Sequence, residues 1–109
     1  MPKSPFLAAL LLAAAPAWAQ DDAWLAYGKA LVETNCSACH AIGLADESRH
    51  ADAPALRDLM ERYPIDALEE SFVEGITVGH PDMPEFIATP EQIAAIIDYI
   101  DSLEPRRAR

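Results

Sequence analysis

Apolar residues fall along this chain in one unbroken run and four spaced series. The run is Phe6 to Ala15, ten apolar residues ended by Pro16. In the first series Trp24, Leu25, Gly28, Leu31 and Val32 share one helical face, with Asp21 or Asp22 predicted as the cap. The second begins near Pro54, places Leu56, Leu59, Met60 and Tyr63 on one face, and stops at Pro64. The third covers about residues 65–74. There Ile65, Leu68 and Phe72 face inward, Glu69, Glu70 and Glu74 face water, Asp66 with Glu69 is a capping pair, and Gly75 ends the helix. The fourth opens on Thr89-Pro90-Glu91-Gln92, a hydroxyl cap, a proline at the first helical position and a glutamine at the third. Ile93, Ile96, Ile97, Ile100 and Leu103 follow at helical spacing, and Pro105 closes it. No segment alternates as a strand would, and residues 41–53 and 76–88 read as loops. An all-α fold follows. Gly28 sits in the middle of an apolar face, where glycine costs roughly 1 kcal/mol against alanine. The expected compensation is close approach of another helix, most simply the last one crossing the first at Gly28.

The unbroken run changes the picture of the N-terminus. Lys3 precedes it, and Ala17-Trp18-Ala19 follows with small residues at both positions that a signal peptidase reads. Residues 1–19 are therefore expected to be a secretory signal peptide, and 20–109 one mature domain. The run is too short to span a bilayer, which takes about 20 apolar residues, so no membrane insertion is expected after cleavage. A domain of this size has a marginal core, which small exported proteins supplement with disulfides, a metal or a cofactor.

The whole chain carries 18 acidic against 8 basic residues, a formal net charge of −10. No basic stripe is present, which excludes nucleic acid as a natural partner. Acidity of this kind suits partners with basic docking surfaces and equally serves plain solubility.

Two cysteines and a histidine carry the chemistry. "NCSACH" places Cys36, Cys39 and His40 in the order C-x-x-C-H. Two thiols at this spacing can each form a thioether to one haem, and the next residue then lies under the ring, where its imidazole meets iron. A dithiol redox site is a second reading, but it belongs near a βαβ pattern that this chain lacks. Structural zinc is a third. It needs four ligands, and His50 and His80 lack ligand-pair spacing. A disulfide across the motif is the remaining alternative.

Haem iron has a second axial position. Downstream, "HPDMPEF" sets Met83 in a loop bracketed by Pro81 and Pro84, an odd place for a methionine that merely packs. Met83 is the candidate ligand. His80 is the rival, with a turn or surface role as its other reading. Met60 falls in phase with Leu56 and Leu59 and reads as core, and His50 lies among charged residues and reads as solvated.

These segments together resemble a small class I c-type cytochrome, monohaem and exported, of the proteobacterial kind. "GKALVETNCSACHAIG" resembles the family's first helix and attachment site, "AIIDYI" its last helix, and "HPDMPEF" its methionine loop. Val32 stands where the family commonly has an aromatic residue. The resemblance implies a compact class I cytochrome c fold of three to five helices around one covalent haem c. It implies Ile96 and Tyr99 packing on Gly28, and a Pro54 carbonyl accepting a hydrogen bond from His40. It makes Arg57 and Tyr63 candidates for the haem propionates. The function implied is a periplasmic one-electron carrier, not an enzyme, with Cys36 and Cys39 attaching the haem, His40 and Met83 ligating iron, and redox proteins as partners of a monomer. A haem subunit of a periplasmic dehydrogenase or oxidase would use the same site. A haem peroxidase or gas sensor would need a labile axial position.

Overall fold

The computed structural model describes residues 17–75 and 82–104. Among these, four α-helices and one short 3-10 turn occur, with no strand. In chain order they are α1 (Ala17–Asn35), the 3-10 turn (Leu56–Asp58), α2 (Leu59–Arg62), α3 (Ile65–Glu74) and α4 (Pro90–Ser102). The architecture is all-α, as the periodicity requires.

The first and last helices cross, and Gly28 lies at the crossing. A Cβ at position 28 would overlap the Ala95 carbonyl oxygen, and would stand 2.8 Å from its carbon and 3.0 Å from Tyr99 Cβ. The glycine thus compensates its helical cost by letting backbone meet backbone. Tyr99 is one neighbour, as expected. The nearest atoms are those of the Ala95 carbonyl, and Ile96, the next residue, is fully buried in the core. Trp24 Nε1 donates to Asp98 Oδ2 at 2.7 Å and ties the same two helices at the rim.

The core is built mainly from α4. Ile93, Ile96, Ile97, Tyr99, Ile100 and Leu103 are buried with Val32, Leu56, Leu68 and Phe72. The cap of α4 forms in full: Gln92 N donates to Thr89 Oγ1 at 3.2 Å, and Thr89 N donates to Gln92 Oε1 at 3.0 Å. The helix stops at Ser102, and Pro105 lies outside the described residues.

Three local expectations are corrected. Ala17, the first described residue, is already in α1, so Asp21 and Asp22 lie inside the helix and cap nothing; no glycine or proline interrupts residues 17–27. The helix expected from Pro54 to Pro64 is split into a 3-10 turn and a single α turn. Its last residue, Tyr63, is extended (φ −135°, ψ 132°) and half in solvent, since the residue before a proline is pushed out of the helical region. Helix α3 starts from Pro64 without any side-chain cap, so the Asp66–Glu69 pair does not form. Gly75 ends α3 at φ 82°, a conformation that favours glycine.

Candidate functional site

The C-x-x-C-H residues sit where α1 runs out. Three side chains return to the carbonyls of the last turns: Thr34 to Ala30 at 2.9 Å, Asn35 to Leu31 at 2.8 Å and Ser37 to Glu33 at 2.5 Å. Side chains that compete for backbone carbonyls are favoured at helix ends. Cys36 N still donates to Val32 O at 2.8 Å, and then one carbonyl organises the motif. Cys36 O accepts from both Cys39 N (3.2 Å) and His40 N (2.9 Å), which gathers Cys36, Cys39 and His40 on one turn.

His40 Nδ1 lies 2.7 Å from the Pro54 carbonyl oxygen. A carbonyl only accepts, so Nδ1 carries the hydrogen. The neutral ring then presents its lone pair on Nε2. The segments run side by side here, because Leu56 N also donates to Ala41 O at 2.9 Å.

Both cysteines are free and half-buried. Burial pushes the Cys36 thiol up to about 11. A dithiol redox centre works through a thiolate of lowered pKa, so this environment disfavours that reading. Among the described residues no group of three or more His, Cys, Asp or Glu could hold a metal ion between them, which leaves zinc without a site there.

Met83 is half-buried and packs against the core, as do Cys36, Ile42, Leu59, Met60 and Phe86. Phe86 meets Phe72 edge-on, ring centres 6.2 Å apart. Met60 thus touches the core from its periphery. His80 lies outside the described residues.

The loop after the motif is stapled by groups that carry no periodic signal in the sequence. Ala41 N donates to Ser48 Oγ at 2.9 Å, and Tyr99 Oη donates to Ile42 O at 2.5 Å. Burial, with the Asp46 and Glu33 carboxylates behind it, raises the Tyr99 hydroxyl above its ordinary range. Asp46 accepts from Ile42 N at 3.1 Å and Gly43 N at 2.8 Å. Desolvation raises the Asp46 carboxyl, but those N–H groups, its own N–H and the Arg57 guanidinium outweigh it and hold the group low. Arg57 Nη1 donates to the Asp46 carbonyl at 2.7 Å and stands 3.5 Å from Asp46 Oδ1. Arg57 is therefore committed to this loop, and Tyr63 is exposed. His50, expected in solvent, instead bonds Asp82 Oδ2 through Nε2 at 3.1 Å. The helical pattern gave no sign of either loop contact.

The residues present fit a covalent haem. Two free thiols share a turn with an imidazole whose Nδ1 is bonded to a carbonyl, which leaves Nε2 to bind metal, and Cys36 packs against the apolar core. Fold and site together define a small helical haem-binding protein. The chain belongs to the cytochrome c family, whose model, Cytochrome c, matches residues 25–104, from the middle of α1 through the end of α4. Neither the curated proteins nor the solved structures yield a match. The family binds haem c covalently, and Cys36 and Cys39 supply its attachment motif. Haem-based electron transfer is the function the family brings.

Proposed function

We propose that this protein is an exported one-electron carrier of the periplasm, with thioethers from Cys36 and Cys39 to one haem and with His40 and Met83 as axial ligands. The observation that carries the reading is the 2.7 Å bond from His40 Nδ1 to the Pro54 carbonyl. It fixes the tautomer, orients the ring and makes Nε2 more basic, the usual support for a metal-ligating histidine. The haem, when bound, supplies a one-electron Fe(II)/Fe(III) couple.

The rest is the work of the chain. Met83 offers a soft thioether that favours the reduced metal and raises the potential. By filling the last axial position it keeps out oxygen and peroxide, which leaves electron transfer as the chemistry. Ile42, Leu59, Met60 and Phe86 pack half-buried on the same core as Cys36 and Met83, apolar surface of the kind a haem would cover.

Residues 1–19 act as the signal peptide in this reading. Cleavage after Ala19 takes the first three residues from α1 and leaves Gln20 at its start. No helix among the described residues is long and apolar enough to cross a membrane. The mature protein is a monomer whose acidic surface meets basic surfaces on its redox partners.

The test is a spectrum with an intact mass of the exported protein. One covalent haem, loss of the first nineteen residues and no spectral change when carbon monoxide meets the reduced form are expected. Met83→Ala should retain covalent haem, lower the potential and admit carbon monoxide. Rapid carbon monoxide binding by the wild-type protein at neutral pH would overturn Met83 as ligand.

A further inference from the structure

We infer that His50 is a positioning residue for Met83, tying the methionine loop to the loop that follows the haem-attachment motif. The inference rests on the reading of Met83 as iron ligand and adds what holds it in place.

Neither candidate ligand is carried by a helix. His40 lies beyond the end of α1, and Met83 lies between α3 and α4. The segment of residues 48–54 bonds to His40 and to Asp82, the residue before Met83. At one end of it the Pro54 carbonyl accepts from His40 Nδ1 at 2.7 Å. Four residues earlier, His50 is itself anchored to the motif, because its backbone N–H donates to Cys39 O at 3.1 Å. The His50 carbonyl accepts from Ala53 N at 3.1 Å, which closes the turn leading to Pro54.

The ring of His50 is held at both nitrogens. Asp52 N donates to Nδ1 at 3.1 Å, so Nδ1 is the acceptor. In the neutral ring the hydrogen is then on Nε2, which faces Asp82 Oδ2 at 3.1 Å. At 3.1 Å and partly in solvent, this bond is an ordinary hydrogen bond. Asp82 directly precedes Met83, one Cα step of about 3.8 Å. Fixing Asp82 shortens the arc through which the Met83 backbone can swing. One short loop thereby orients the His40 imidazole and restrains the segment carrying the Met83 thioether, the two groups that would hold the iron.

The consequence is kinetic. Methionine leaves iron when its loop moves away, and the His50–Asp82 bond opposes that movement. The experiment uses the purified, haem-loaded oxidised protein and follows displacement of the sixth ligand by saturating imidazole, read as the change in the haem spectrum. His50→Ala should speed displacement about 2- to 10-fold, the factor a single net hydrogen bond carries. Asp82→Ala should do the same, and the double variant should be no faster than either alone. His50→Gln, which restores a donor, should recover most of the wild-type rate. Ala26→Gly, which weakens α1 at an exposed position of a different element, controls for general loss of stability and should leave the rate unchanged.

Wild-type rates in His50→Ala, additive effects in the double variant, or an equal acceleration by Ala26→Gly would each overturn the inference. Met83→Ala separates it from the reading beneath. If that variant leaves the haem spectrum as in the wild type, the ligand reading and this inference fall together. If the spectrum changes but the His50 variants behave as wild type, the inference alone falls.

Discussion

Replacing Gly28 by alanine sets two effects against each other, and the structure decides which wins. In an isolated helix the change is favourable by about 1 kcal/mol. Here the added methyl would overlap the Ala95 carbonyl oxygen and lie 2.8 Å from the carbonyl carbon, where ordinary contact begins at 3.4 Å. The obstacle is backbone of α4 and cannot turn aside, so the two helices must part by at least 0.6 Å, the difference between 3.4 and 2.8. Overpacking of a close contact costs about 1–3 kcal/mol, and a rigid obstacle puts this site at the upper part of that range. The net effect is a loss of about 1–2 kcal/mol. For a domain of this size that lowers the melting temperature by about 4–16 °C. Thermal unfolding of the haem-loaded protein, followed by far-ultraviolet circular dichroism, measures it. Ala26→Gly is the control, on the exposed side of the same helix, and should also destabilise, by about 1 kcal/mol, through propensity alone. A Gly28→Ala protein as stable as the wild type, or more so, would mean that α1 and α4 do not approach this closely, and the crossing would have to be redrawn.

Two further outcomes follow from single contacts. Thr89→Ala removes the hydroxyl that accepts from Gln92 N, leaving that N–H without its cap, and should cost about 1 kcal/mol in a denaturant titration; no measurable loss would mean the cap does not contribute. The Asp46 carboxyl is held below its ordinary value of 3.8, so its contribution to stability is fully present above that value and is lost as pH falls through the lower folded one. The gap in melting temperature between wild type and Asp46→Asn should hold constant above about pH 5 and close towards about pH 2. A gap that stays open at low pH would show that Asp46 draws nothing from its charge.

The helical frame was legible because it repeats. Ile93, Ile96, Ile97 and Ile100 mark the buried face of α4 by spacing, Thr89 and Gln92 mark its start by chemistry, and Gly28 marks the crossing because nothing but close approach justifies a glycine there. The residue that meets Gly28 was less legible. It is the Ala95 carbonyl, and a side-chain pattern gives no signal for a backbone atom. The stretch before Pro64 misled because Leu56, Leu59 and Met60 satisfy a 3-10 turn followed by one α turn as well as they do a continuous helix. Helix α1 begins before Asp21 because residues 17–20 oppose helix nowhere, so a competent cap residue goes unused. At the site, C-x-x-C-H was legible at once because three fixed residue types leave few chemistries open. The tie from His50 to Asp82 was not, since it joins two loops 32 residues apart and follows no period.

This division has a physical cause that bears on how the protein works. The α1–α4 crossing depends mainly on close packing at Gly28, with one bond from Trp24 to Asp98 at its rim. The residues that follow the attachment motif are held differently, by directional bonds within their loop and to α4: Tyr99 to Ile42, Ser48 and Asp46 to the chain at residues 41–43, Pro54 to His40. Such bonds are each worth only about 1 kcal/mol net, yet they fix angles that apolar packing leaves loose. An electron carrier needs that exchange. Its metal must change charge without its ligands rearranging, so the imidazole is best set by a carbonyl that stays in place in either state. Under the proposed ligation by His40 the Pro54 carbonyl meets that requirement, because Pro54 is followed directly by the buried Ala55 and Leu56, whose burial anchors it to the same core that α4 builds.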